Sequence, residues 1–406
     1  MVSEESIMSL LNRESTWIDY LEKKIFLIKM DPKINRYFDL YDDKTCRNVL
    51  DIMSAGTYTF TTANKKLISK YKVGKKRTVY SFNEYEMMGL RLLSKLLYRY
   101  DHLFSPNLFS FRINNGVKNA IHTLKDNKKI RNMYGIKVDI HDYFNSIDVN
   151  ILLGDLKSDL KDDNLYELIA GILLNSEVKF NGRVIKENKG VMAGIPISPF
   201  LSNYYLKSMD EYFLKKKCTY MRYADDIILF AESEMELMCL YQDLLKILDD
   251  KKLVLNPKKQ KCIYPGTSFD FLGFNINGDE IDISSDSVRK IKGKIRRSSK
   301  SIRRWMLEKD APLKGTIKAL IRKYNRKFYG FKSSELTWCL WYFPIITTSK
   351  SLHEIDLYLQ NWIRYVATGR HTKKNYEIVP YSLLKECGYR SLVHEYYEWI
   401  KKSKNN

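Results

Sequence analysis

The sequence predicts an α+β fold, and three observations predict it. Apolar residues recur at helical spacing near both ends of the chain. The middle carries short segments of period two, separated by turn residues. The clearest of these, "TYMRYADDIILFAES" (219–233), sets two apolar runs either side of a polar break, as an antiparallel hairpin does. With 406 residues, 44% hydrophobic and 13% aromatic, the chain is long enough for two or three subdomains and a substantial core.

In chain order, residues 1 to about 55 read as amphipathic helices ("SIMSLL", "STWIDYLEKKIFLI"), with Ser15 or Thr16 as a cap. Around "KKLISKYKVGKKRTVYSF" the period shifts to two, and Gly74 marks a turn between basic strands lined by Lys72, Lys75, Lys76 and Arg77. A helix follows over "NEYEMMGLRLLSKLLYRYD", then a strand over "YGIKVDIHDYF", helices over 149–175 and a hairpin at "VKFNGRVIKENKG". From "FDFLGFNINGDEIDI" the chain reads as strand and turn to about 286, and as helix thereafter. There is no internal repeat and no Pro-rich linker.

Lys plus Arg number 69 against 48 Asp plus Glu, a net charge of +21 that suits a phosphate-rich partner. The six cysteines are scattered without a C-x-x-C pair, which excludes zinc-ligand spacing and reads as reduced core thiols of a cytoplasmic protein. The segment "MVSEESIMSLLNREST" lacks a basic region followed by an apolar one, and no run of 18 apolar residues occurs, so the expectation is neither secretion nor a membrane span.

The break in the central hairpin holds Asp225 and Asp226. A turn is the plain reading, yet Met221 and Tyr223 before it and Ile227 to Phe230 after it are apolar on both faces, as in a strand covered on both sides. Two carboxylates there repel and lose hydration, so they need a cation or a shifted pKa. Asp139 interrupts a second apolar strand about 85 residues upstream. Three such acids are what a two-metal phosphoryl-transfer site requires.

The motifs "IKVDIHDYF", "AGIPISPFLSN", "YADD", "LNPKKQK" and "FDFLGF" resemble, in order and spacing, the palm motifs of reverse transcriptases. Upstream, "GKKRTVYSF" and "SFRINNGVKNAI" resemble the fingers motifs of the bacterial branch, shared by group II intron and retron enzymes. The resemblance covers roughly residues 55 to 330. It implies a right-hand polymerase: an N-terminal helical extension (1–55), fingers (56–135), a palm of antiparallel sheet plus helices (136–286), a helical thumb (287–335) and a helical C-terminal extension (336–406). It also implies two Mg²⁺ ions, or Mn²⁺, held by Asp139, Asp225, Asp226 and the backbone of Ile140.

Carried over further, the resemblance makes Phe144 the aromatic beneath the incoming sugar, with an ordinary core Phe as the competing reading. It puts Arg77 and Arg112 on the triphosphate, although a solvated basic hairpin also explains Arg77. It places Gly194, Ile195, Pro196 and Tyr223 around the nucleotide, and Lys259 on the departing pyrophosphate, with Lys258 and Lys261 as alternatives. "FLGF" becomes the primer grip, where Gly273 permits close backbone approach. Ala193 stands where much of the family has glutamine.

Arg289, Lys292, Arg296, Arg297, Lys300, Arg303 and Arg304 belong to a one-sided basic run that reads as a solvated helix face or, by the resemblance, as a thumb on a template–product duplex. The implied partners are an RNA template, dNTPs and cDNA. The type most resembled is a stand-alone defence-associated reverse transcriptase, of the second type, that copies a structured non-coding RNA in antiphage defence. A retron or other group II-like enzyme, an RNA-dependent RNA polymerase and a non-catalytic RNA-binding protein remain as alternatives, and no oligomeric state follows from the sequence.

Overall fold

The structure, a computed structural model, describes residues 5–27, 33–69, 76–216, 218–330 and 337–404. Two compact units partition the chain: one runs to residue 120 and resumes over 132–265, the other comprises 121–131 and everything from 266 onward.

The first unit opens with helices Ile7–Leu11, Glu14–Leu27, Lys33–Asp42 and Lys44–Ser54, as the periodicity predicts. Ser15 and Thr16 lie inside the second helix and not at its cap; the capping side chains are Ser6, which accepts from the Ser9 N–H, and Asp43, which accepts from the Thr45 N–H. Strands β1 (Ala63–Ser69) and β2 (Lys76–Ser81) form the basic hairpin, with Ile68 opposite Arg77. Its tip, with Lys72, Gly74 and Lys75, falls outside the described residues. β3 is Tyr134–Asp139, β4 Glu177–Phe180 and β5 Arg183–Lys186. β4 and β5 join through Asn181 and Gly182, both at positive φ, the geometry that favours an Asn-Gly pair in a two-residue hairpin.

The remaining strands of this unit are β6 (Thr219–Tyr223), β7 (Asp226–Ala231) and β8 (Lys261–Ile263). They make a four-stranded sheet in the order β6-β7-β3-β8, every pair antiparallel, while the other sheet runs β2-β1-β4-β5 with β1 and β4 parallel. β7 lies inside the sheet, and Ile227, Ile228, Leu229 and Phe230 are fully buried, which explains why this strand is apolar on both faces.

The second unit contains β9 (Phe269–Phe271), β10 (Phe274–Asn277) and β11 (Glu280–Ile283), an antiparallel sheet in the order β11-β10-β9. The sequence groups these strands with the preceding palm, but here they cluster with the helices that follow. Those are Ser285–Glu308, Leu313–Tyr329, Lys350–Thr368 and Leu392–Lys404, with shorter helices between them. Val288, Ile291, Ile295 and Met306 form the buried stripe of the first, and Ile317, Leu320, Ile321, Tyr324 and Phe328 that of the second. The cysteines form no disulfide; Cys46, Cys339 and Cys387 are buried, but Cys239 and Cys262 are exposed and so are not the core thiols expected. Among the described residues no helix is long and apolar enough to cross a membrane.

Candidate active site

Pairing within one sheet brings the three acids together. Asp139, the last residue of β3, is the register partner of Asp226, the first of β7. The turn between β6 and β7 is Ala224 and Asp225, one residue earlier than the Asp-Asp pair suggests, with Ala224 at φ +56°. The Asp225 carbonyl accepts from the Ile140 N–H at 3.1 Å, and the Asp139 carbonyl accepts from the Asn256 N–H at 2.8 Å. The acid-bearing strand ends are therefore tied to each other and to the segment before Lys259.

Charge explains the rest. Asp139 is 3% exposed. Burial, then the neighbouring Asp226 and Asp139, pushes Asp225 up to about 6. Burial also raises Asp226 above the ordinary carboxylate value, against the pull of Lys137. Lys259 pairs with Asp139, and the Lys137 amine lies 3.6 Å from Asp226. Lys258, Lys259 and Lys261 are all exposed, and Lys259 pairs with Asp139. Among the described residues no group of three or more His, Cys, Asp or Glu forms a ready cation cage. The donor set nonetheless fits magnesium: it is all oxygen, it is short of positive charge, and Mg²⁺ draws its remaining ligands from water and phosphate.

A buried polar network supports the turn from below. The Ser110 hydroxyl donates to Asn203 Oδ1 at 3.0 Å and accepts from the Ala224 N–H at 2.8 Å, and Asn203 donates back to the Ser110 carbonyl. Arg222 and Asp210, both fully buried, form a bidentate pair, and Tyr220 donates to Asp210 at 2.6 Å. Sequence reading missed Ser110, Asp210 and Arg222; "MRYADD" displays the arginine, but only the fold reveals its partner.

Beside the acids, Phe144 sits half-buried in the short helix Tyr143–Ser146, edge-on to Phe111 at 6.3 Å, and Phe111 in turn meets Tyr223 at 6.4 Å. Phe111, exposed and at φ +55°, is a member of this aromatic group that the motif reading passed over. The loop 190–197 lies against β2: the Tyr80 N–H donates to the Ala193 carbonyl at 2.8 Å, and a Cβ on Gly194, at φ +108°, would meet the Tyr80 carbonyl at 2.7 Å. Ile195 is buried, Pro196 half-buried, and the Ser198 hydroxyl donates within the loop, to the carbonyls of Val191 or Met192.

The two arginines expected on the triphosphate differ. Arg77 is exposed on β2. Arg112 grips Asp101 through two bonds of 2.9 Å and reaches the carbonyls of Ser105 and Asp101, so its fork is spent inside the protein.

Residues 68–276 match the family model described as "Reverse transcriptase (RNA-dependent DNA polymerase)". The chain belongs to the reverse transcriptase family. Its sheets and helices make an α+β architecture. Retron Ec83 reverse transcriptase of Escherichia coli is 29% identical over 33% of this chain and 47% of its own length, and retron Ec86 reverse transcriptase of the same species 25% identical over 39% and 48%. The chain thus spans about half the length of these curated relatives. Among solved structures, apo telomerase from Candida tropicalis aligns with a TM-score of 0.48 at 14% identity, covering 80% of this chain and 59% of that one.

In this member of the family the basic run of the second unit divides by helix face. Lys292 pairs with Glu354 and covers the Tyr358 ring, and Arg303 donates to the carbonyls of Val366 (2.6 Å) and Ala367, capping the end of Lys350–Thr368. Both are committed to packing within the unit. Arg289 pairs with Asp286 one turn before it. Arg296, Arg297, Lys300 and Arg304 are exposed. Gly273, at φ +91° in the turn between β9 and β10, offers its carbonyl to the Ser284 N–H at 2.9 Å.

Proposed function

We propose that the chain is an RNA-directed DNA polymerase that extends a primer 3′-hydroxyl with dNTPs along an RNA template. The observation that carries this reading is the pairing of Asp139 with Asp226 beside Asp225, three carboxylates at the adjoining ends of one antiparallel sheet. Asp139, Asp225 and Asp226, with the backbone of Ile140, are the residues that would hold Mg²⁺ or Mn²⁺. Divalent cations bound there supply the positive charge that eases deprotonation of the 3′-hydroxyl and stabilises the leaving pyrophosphate. Lys259, which pairs with Asp139 in this structure, would give a proton to that leaving group once a cation takes its place on the acid. Phe144 fills the space beneath the sugar, and Gly194 lets the loop 190–197 lie close to β2. Arg77, exposed where Arg112 is not, is the stronger candidate for the triphosphate.

The finer reading is a bacterial enzyme of the defence-associated kind that copies a structured non-coding RNA into cDNA, with the exposed arginines of Ser285–Glu308 as a thumb on the duplex. Its support is the motif resemblance and the helical stretch beyond residue 337. The likeness to two retron reverse transcriptases favours a retron enzyme as the second reading. Primer extension on an RNA template with dNTPs tests the activity: Asp139→Asn should lose it while retaining fold and RNA affinity. Retention of more than a few per cent of wild-type incorporation by that variant would overturn the site.

A further inference from the structure

A cleft of about 550 Å³ lies within the second unit, between the helices Ser285–Glu308 and Leu313–Tyr329. Lys294 and Ser298 line one wall, Lys323, Tyr324, Arg326 and Lys327 the other, and no carboxylate lines it among the described residues. Helical spacing builds it. Lys294 and Ser298 are four residues apart on one face, and so are Lys323 and Lys327 on the facing helix. Lys294 and Ser298 are two residues out of phase with Arg296 and Lys300, while Arg297, three residues on from Lys294 and close to Tyr324, borders the cleft.

The cluster works against its own fold. Like charges at that spacing repel, and burial, with Lys294 and Lys323 nearby, pushes the Lys327 amine below the ordinary lysine value. Packing alone gives no reason to gather cations here without an acid, whereas an entering anion turns the repulsion into binding. Ser298 and Tyr324 add hydroxyls to the same walls. Nucleotide-sized ligands fill pockets of roughly 300–1,000 Å³, so the space suits a short stretch of one strand and not a duplex, which is read across a broad surface.

We propose that this cleft is a second phosphate-binding site of the protein, taking adjacent backbone phosphates of a single-stranded RNA segment. The proposal rests on the RNA-binding reading above and adds to it a site apart from the duplex. A 5′-triphosphate end carries the same chemistry from another source, and the test separates the two.

The test uses the full chain and the triple variant Lys294→Gln, Lys323→Gln, Lys327→Gln, titrated with a short single-stranded RNA bearing a 5′-hydroxyl and with the same RNA bearing a 5′-triphosphate. The variant should bind both on the order of 10-fold more weakly, and its slope of log affinity against log salt should be shallower by about 2, since each lost single-strand contact removes roughly 0.7. Without RNA it should melt at or above the wild-type temperature. Loss confined to the triphosphorylated RNA would assign the cleft to a chain end and overturn the backbone proposal, as would unchanged binding of both RNAs or a lower melting temperature. Primer extension by the wild type on an annealed RNA template is measured alongside. Extension with unchanged single-strand binding in the variant sinks the cleft alone; no extension with weakened binding sinks the polymerase reading and leaves the cleft standing.

Discussion

Asp225 shows what one residue contributes to stability and to chemistry at once. Its acid is raised from the usual carboxylate value to about 6, mainly by burial and then by Asp226 and Asp139. The folded chain therefore holds this proton more tightly than the unfolded chain does, and stability falls as pH rises from about 4 to about 6, with the full penalty present above that window. Asp225→Asn removes the penalty. In chelator near pH 7.5 it should stabilise the fold by on the order of 2 kcal/mol, the gap closing below about pH 4, while DNA synthesis disappears. Melting curves at the two pH values check this, and a variant no more stable than wild type at the higher pH would refute the assigned burial. Phe144 tests the sugar. Its ring is half-buried among Phe111 and Tyr143, and not enclosed in the core. Phe144→Val should thus raise ribonucleotide relative to deoxyribonucleotide incorporation by opening space for a 2′-hydroxyl, with only a modest fall in deoxynucleotide use. Single-nucleotide extension with each sugar reads the ratio; equal losses of both would return Phe144 to the core, where truncation costs about 3 kcal/mol or more.

At the scale of elements, what the sequence made legible was local. Alternation, the Asn181-Gly182 turn and the apolar flanks of Asp139 and Asp225 each depend on neighbours a few residues away, so the strands and acids could be read directly. Long-range pairing could not. Nothing in "SFRIN" says that Arg112 turns back onto Asp101, or that Ser110 reaches the Ala224 N–H 114 residues later. The same holds for Asp210, whose pairing with Arg222 anchors β6 beside the Ala224–Asp225 turn. Because both partners are fully buried, removing one leaves an uncompensated charge. Asp210→Asn should cost about 3 to 5 kcal/mol, and activity should fall with the folded fraction, without a change in pH profile. Denaturant titration measures the loss; a cost under about 1 kcal/mol would mean that the arginine finds water or another acceptor.

For the whole molecule, the excess of +21 is the feature with the longest reach, and its value depends on which cations remain turned to solvent. The basic run from Arg289 looks uniform along the sequence, since spacing alone does not reveal which flank of Ser285–Glu308 meets a neighbour. The fold sorts it: Lys292 and Arg303 are consumed by the helix Lys350–Thr368, whereas Arg296, Arg297 and Lys300 stay exposed. These two groups should fail differently when neutralised. Replacing Arg296, Arg297 and Lys300 together by Gln should leave the melting temperature nearly unchanged, weaken binding to an RNA–DNA duplex and flatten the salt slope by about 2 to 3, because each lost contact retains its counterion. Arg303→Gln should instead lower the melting temperature, because the carbonyls of Val366 and Ala367 lose their donor, and should leave the slope unchanged. Binding measured over a salt series, alongside thermal melts of the same preparations, resolves the two patterns. If the triple variant keeps the wild-type slope, those arginines form a solvated face, and the molecule's charge must meet its nucleic acid elsewhere.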